Sequence, residues 1–194
     1  MRKLIFLFCI VMLASCDRHV PYQAIDVTVP LEKADFHLPD FNGKQRSLAD
    51  FRGKVVLLFF GYTNCPLVCP TTLADLAQVM GLLGKDAERV QVIFITVDPE
   101  RDKPEVLAKF VPFFHPSFLG LSGNDKDTAL AAKAFGVGYE KQFYKDGGYT
   151  FLHSDGTFLI GTTGHPLLLS RYGQKAELLA QDIRLLLAVD PSTN

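Results

Sequence analysis

Two cysteines separated by three residues, Cys65 and Cys69, are the side chains of this sequence best suited to chemistry. Their thiolates are nucleophiles and soft metal ligands. Such a pair can close a disulfide when its Cα atoms come within about 7 Å. It can equally hold Cu(I), Zn(II) or an iron–sulfur cluster between two sulfurs. Redox pairs of the Cys-x-x-Cys type have two intervening residues; here there are three, and Pro66 and Pro70 stiffen the loop and remove two backbone donors. A structural disulfide closing so small a loop would remove little chain entropy, so a chemical role is the better reading.

The flanking residues say what must position the pair. Residues 55–60 are wholly apolar and read as a buried parallel strand, ended by Gly61. Thr72 is expected to cap a helix reaching about Gly84, with Asp75 three residues on. Leu73, Leu76, Ala77, Met80 and Leu83 recur in it at helical spacing. The thiols therefore lie where a central strand hands over to a helix N-terminus. Open α/β sheets bind ligands in that crevice. The free N–H groups and the helix dipole favour a thiolate there. Residues 90–97 form a second apolar strand, which makes a right-handed βαβ unit. The run Asp98 to Asp102 ends that strand on the same edge as the cysteines. Asp102 and Glu105 have capping-box spacing for a helix to about Phe114, and Asp98 or Arg101 could also shape the site.

Further on, residues 118–121 read as a short strand and 127–135 as a helix closed by Gly136. Residues 149–153 are extended, 157–161 form a strand and 167–172 return antiparallel. Residues 174–189 form an amphipathic helix with Leu179, Ile183, Leu186 and Leu187 on one stripe. Ahead of the βαβ unit, Asn42-Gly43 joins residues 34–40 and 45–48 in a hairpin. A βαβ unit with a ββα ending is the thioredoxin pattern. The predicted class is α/β: a thioredoxin-like mixed sheet flanked by helices, with an N-terminal β-hairpin extension.

The chain has 194 residues, 48% of them apolar, and a formal net charge of −1. That fits one domain plus a targeting segment, with no basic excess to suggest nucleic acid. Met1-Arg2-Lys3 is a basic start. The apolar run 4–13 is too short to be a standard membrane span. It ends in Leu13-Ala14-Ser15-Cys16, which resembles a bacterial lipobox, where the cysteine is lipidated. Asp17 resembles an inner-membrane retention signal. The expected organisation is a signal peptide over 1–15, a lipidated tether over 16–33 and a folded domain over 34–190. The protein would then sit in the bacterial envelope, anchored to the inner membrane and facing the periplasm. Of four cysteines, Cys9 leaves with the signal and Cys16 carries lipid. Only Cys65 and Cys69 remain in the domain, in an oxidising compartment.

The block Phe60-Gly61-Tyr62-Thr63, Cys65-Pro66 and Val68-Cys69-Pro70-Thr71-Thr72-Leu73 resembles the signature of the Sco/SenC copper chaperones. Residues 96–102 resemble their second block, Gly120-Leu121-Ser122-Gly123 a third, and His153-Ser154 the segment that carries their ligand histidine. The resemblance implies a membrane-tethered thioredoxin-like domain that binds copper, as Cu(I) or Cu(II), through Cys65, Cys69 and His153. It implies a role in assembling the binuclear copper centre of cytochrome c oxidase. The oxidase's copper-binding subunit would be the partner, with other periplasmic copper carriers as further candidates. The sequence departs from the family at Asn64, where many members have His, and at Leu67 and Leu152, where Asp is usual. Ile160 and Gly161 stand where another Asp ends the following strand. These departures remove polar character near the site and bear on partner recognition and on the tuning of His153, since a carboxylate often orients a ligating histidine.

The other histidines compete poorly. His165 lies in a turn at a hairpin tip, His115 precedes a proline, His37 is in the front hairpin and His19 in the tether. Met80 is on a core stripe, which disfavours a methionine-based copper site. Two further functions use the same pair: thiol–disulfide exchange on protein thiols, and a redox or copper sensor. A peroxidase is disfavoured, because Tyr62 stands three residues before Cys65 where a Thr is wanted.

Overall fold

The computed structural model describes residues 22–145 and 147–189. Cys9, Cys16 and His19 lie outside the described residues. The elements begin with β1 (Ile25–Asp26), the helical turn α1 (Thr28–Leu31), β2 (Leu38–Pro39), β3 (Gln45–Arg46), β4 (Val55–Gly61) and α2 (Val68–Leu83). They continue with β5 (Val90–Thr96), α3 (Pro104–Phe114), β6 (Leu119–Leu121) and α4 (Asp125–Ala134). The chain then forms β7 (Tyr139–Phe143), β8 (Tyr149–His153), β9 (Thr157–Ile160), β10 (Pro166–Ser170) and α5 (Ala176–Ala188).

The apolar runs become the centre of the sheet because a strand covered on both faces cannot alternate with polar residues. Every residue of β4 is buried. β4 pairs in parallel with β5 from Val55↔Val90 to Gly61↔Thr96. The main sheet runs β1-β10-β9-β4-β5-β6, with β6 parallel and β9, β10 and β1 antiparallel to their neighbours. Helices α2 and α5 pack together by β4, and α3 lies against β6. Leu57, Leu58, Phe59, Ile93 and Phe94 are fully covered, each worth roughly 1.5–3 kcal/mol of transfer free energy. This is the thioredoxin-like arrangement expected. The front hairpin is present but shorter, as β2 and β3, and the buried Asp40 holds its turn by accepting N–H bonds from Asn42 and Lys44. Among the described residues, no helix is long and apolar enough to cross a membrane.

Several boundaries differ from the sequence reading. The stretch to residue 33, expected as a tether, is folded from Tyr22 onward. There β1 pairs with β10, Ile25 facing Leu169, and the Gln23 and Ala24 N–H groups each donate to the buried Asp182 carboxylate at 2.9 Å. A two-residue strand and a four-residue helix are too short to print a period. Helix α2 begins four residues early, at Val68, so Thr72 does not cap it. The Thr72 hydroxyl instead donates back to the Val68 carbonyl at 2.9 Å. Helix α3 begins at Pro104, and Asp102 turns inward rather than capping it. The N-cap of α4 is Asn124, whose side chain accepts the Asp127 N–H. Strand β7 was not foreseen. It reads Tyr-Glu-Lys-Gln-Phe, and its two charges hide a strand that pairs with β8 in a separate two-stranded sheet.

Asp182 is fully covered and accepts two backbone N–H bonds, so Asp182→Ala removes the acceptor of both. A loss of about 1–3 kcal/mol in urea unfolding is expected. Amide exchange at Gln23 and Ala24 should quicken, while thiol reactivity stays unchanged.

Candidate metal centre

The cysteine loop is built on the N-terminus of α2. The first N–H groups of a helix have no partner within it and are commonly met by a capping side chain. At α2 the N-cap is Leu67, and no side-chain cap is made. The sulfur of Cys65 takes that place, accepting the Cys69 N–H at 3.4 Å. Pro70 costs nothing here, because an amide in the first turn needs no helical acceptor. Burial opposes ionisation of Cys65, but the N–H groups of Cys69, Leu67 and Val68, with the Cys69 thiol, outweigh it and hold Cys65 below the ordinary thiol value. Cys69 is fully buried. Burial pushes its thiol far up, and a charge on Cys65 pushes the same way. Both cysteines are free thiols.

Gly61 makes room for Cys69. A Cβ at that position would lie 2.9 Å from the Cys69 sulfur and 2.9 Å from the Phe59 and Phe94 rings. Its backbone is unremarkable, so space is what it supplies. The base of the loop is pinned from below. Asp102, fully buried, accepts the Thr63 N–H at 2.9 Å and the hydroxyls of Thr63 and Thr96. Burial raises its pKa, and the three donors oppose that.

His153 comes from β8, outside the main sheet. Its Nε2 lies 3.6 Å from the Cys69 sulfur, and its Nδ1 lies 2.8 Å from the Ser154 carbonyl. A carbonyl can only accept, so Nδ1 donates to it, and Nε2 is the nitrogen turned toward the Cys69 sulfur. Tyr62 meets the imidazole edge-on at 5.8 Å, and Phe59 does so at 6.2 Å. The hairpin of β7 and β8 is attached by a polar clamp. Arg101 donates to Asp98 and, at 3.1 Å, to the Tyr149 carbonyl, with its guanidinium 3.7 Å from the Tyr149 ring centre. The Tyr149 hydroxyl donates to Asp98 at 3.1 Å. The Tyr62 hydroxyl lies 2.8 Å from Thr150 Oγ1.

The ligand atoms of Cys65, Cys69 and His153 all lie within 4.8 Å of one another. Two sulfurs and one imidazole nitrogen form a soft, three-point donor set. It suits Cu(I), and it leaves a coordination position open. A family model described as SCO1/SenC matches residues 28–188. The chain belongs to the SCO1/SenC family. The mitochondrial SCO2 homolog of Homo sapiens is 41% identical over 157 residues, 78% of this chain and 58% of that protein. This chain therefore spans little more than half of that relative's length. The structure of Bradyrhizobium japonicum ScoI with copper bound is similar with a TM-score of 0.73, at 37% identity, covering 79% of this chain and 98% of that one. The apo Sco1 protein of Thermus thermophilus has a TM-score of 0.72 at 44% identity, covering 79% and 90%.

Within this SCO1/SenC domain the remaining candidates are dispersed. His165 lies beside the Glu32 carbonyl at the other hairpin, and His115 bonds locally to Ser117 at 2.8 Å. Met80 is buried in the core. Leu67 and Leu152 are exposed at the rim of the site, while Ile160 is buried in the sheet. The orienting role open to a carboxylate beside His153 is taken by the Ser154 carbonyl. Sequence reasoning missed Gly61 as a spacer, Tyr62 and Phe59 as the walls of the imidazole, and Asp102 as the floor of the loop. It also missed Tyr149. The aromatic alternation of Tyr149 and Phe151 was the one signal that could have placed a packed hairpin there.

The two thiols should differ in alkylation. A lowered pKa keeps Cys65 thiolate present below the ordinary thiol range, and a raised one keeps Cys69 protonated through it. With iodoacetamide at pH 7, peptide mass spectrometry is expected to find Cys65 modified first and Cys69 protected. The pH midpoint for Cys65 should lie below that of the unfolded chain. Equal rates for the two cysteines would contradict the helix-terminus argument.

Proposed function

We propose that the protein is a copper carrier of the cell envelope. It binds copper through Cys65, Cys69 and His153 and delivers it to the binuclear copper centre of cytochrome c oxidase, or prepares the thiols of that centre. The observation that carries this reading is the convergence of three soft donors from two separate pieces of structure. The copper-bound relative from Bradyrhizobium japonicum supports it.

Copper is cargo here. Two thiolates satisfy Cu(I), and the imidazole adds the nitrogen that Cu(II) demands. The open position lets an incoming ligand bind before an old one leaves. Binding releases the Cys69 proton, so the metal recovers what burial withholds from the bare thiol. A Cys65–Cys69 disulfide would use the same sulfurs, so the redox state gates loading; about 30 mV in the thiol couple is worth roughly 1.4 kcal/mol. Thiol–disulfide exchange is the second reading. The reactive Cys65 favours its first step, attack on a disulfide. The buried, protonated Cys69 slows the resolving step, which is why we put copper first. Cys16 would carry the lipid that holds the domain at the inner membrane, facing the periplasm.

Anaerobic titration of the reduced protein is expected to load one copper per chain, and the disulfide form none. His153→Ala should keep Cu(I) on the two sulfurs with weakened affinity and lose Cu(II) more severely, read by chelator competition and by electron paramagnetic resonance. His165→Ala should change neither. Loss of Cu(II) in His165→Ala with retention in His153→Ala would transfer the ligand role to the turn histidine.

Lipid attachment has its own test. Cys16→Ser should abolish incorporation of labelled palmitate and release the protein from the membrane fraction; unchanged labelling would refute the lipid anchor.

A further inference from the structure

The doorway to the Cys65 sulfur is apolar. Leu67 is 64% exposed and Leu152 62% exposed. Both line a cleft of about 260 Å³ that also holds Cys65, Val68 and His153. One leucine comes from the N-cap of α2 and the other from β8, so the tertiary fold brings them together. A single exposed leucine is ordinary. Two at the mouth of the only cysteine pair among the described residues form a surface that folding does not require.

The charge at this edge has one sign. Asp155 lines the same cleft, and Glu140 lines an adjoining depression shared with Leu152 and His153. Both carboxylates are exposed. Among the described residues neither has an ion-pair partner. Two cations near this edge are taken: Lys141 holds Glu100 at 2.8 Å, and Arg101 of the clamp holds Asp98.

Cu(I) held by thiolates passes to a new ligand set inside a complex. An apolar ring around the exchanging ligands shuts out water while adding little directional energy of its own. Resting on the copper reading above, we propose that Leu67 and Leu152 form half of such a ring. Its partner is a protein whose metal-binding loop has apolar side chains beside its ligands and a Lys or Arg that meets Glu140 and Asp155. Copper stays Cu(I) throughout. The loop's sulfurs bond to it as Cys65, Cys69 and His153 let go, and the protons lost by the loop thiols are taken up by the freed sulfurs. A small-molecule copper complex needs neither the leucines nor the carboxylates.

The test uses the full-length chain loaded with Cu(I) and two synthetic Cys-x-x-Cys loops of equal copper affinity. One loop carries Leu and Lys beside the cysteines; the other carries Ser and Glu. Stopped-flow transfer to the Leu/Lys loop is expected to be about tenfold faster than to the Ser/Glu loop. Leu152→Asn and Leu152→Ser, which remove the apolar side chain without adding charge, should each erase most of that preference. Transfer to bicinchoninate, a small chelator, should change by less than about twofold. Phe113→Asp, at a site 83% exposed on α3, is the control and should keep the preference. Equal transfer to the two loops, or a preference untouched in both Leu152 variants, overturns the docking ring while leaving copper binding intact. A wild-type chain that fails to load Cu(I) with both thiols reduced overturns the copper reading and this inference with it.

Discussion

The sulfur of Cys65 is the acceptor that finishes α2, and the site depends on that interaction. A helix start left without a side-chain cap would leave its first N–H groups unsatisfied. Here they converge on a sulfur, so an element of secondary structure is completed by the atom that does the chemistry. The cost of holding negative charge on Cys65 is thereby lowered. Cys69, one turn on, is driven the opposite way by burial. The site thus has one thiol ready to ionise and one that ionises when something replaces its proton. Gly61 makes the pairing physically possible, since any side chain there would occupy the space of the Cys69 sulfur.

The third donor belongs to a different mechanical unit. The main sheet and α2 hold the sulfurs, whereas the hairpin of β7 and β8 holds the imidazole. Arg101, Asp98 and Tyr149 join the two, beside the Tyr62 and Phe151 rings packed edge-on at 5.6 Å. The Asp98 to Asp102 run therefore has two directions of work. Asp98 and Arg101 reach out to the hairpin, while Asp102 reaches in to Thr63 beneath the cysteine loop. A metal bound across these units is sensitive to how the hairpin sits. That suits the proposed carrier role, in which the cargo must be both gripped and surrendered.

How a carrier gives up a tightly held soft ion depends on the surface around it as much as on the ligands. In the proposed docking ring, the apolar mouth serves the dry exchange and the carboxylates at one edge serve the electrostatic approach.

The two central strands were legible in sequence, because strands covered on both faces must be apolar without interruption. The cysteine loop was legible because chemistry restricts which residues can stand there. The family resemblance pointed to His153 before any geometry was known. Sequence also placed the later hairpin and the terminal helix through their periods. It could not place Tyr22 to Leu31 in the fold, nor β7, since very short elements and charged strands leave no periodic mark. Nor could it tell that Asp102 faces inward, because an acidic residue before a helix ordinarily caps it. Which histidine meets the sulfurs was decided by the docking of one hairpin. So were the role of Gly61 as empty space and the meeting of Leu67 with Leu152. Each is a relation between residues far apart in the chain, and only packing in three dimensions brings them within reach.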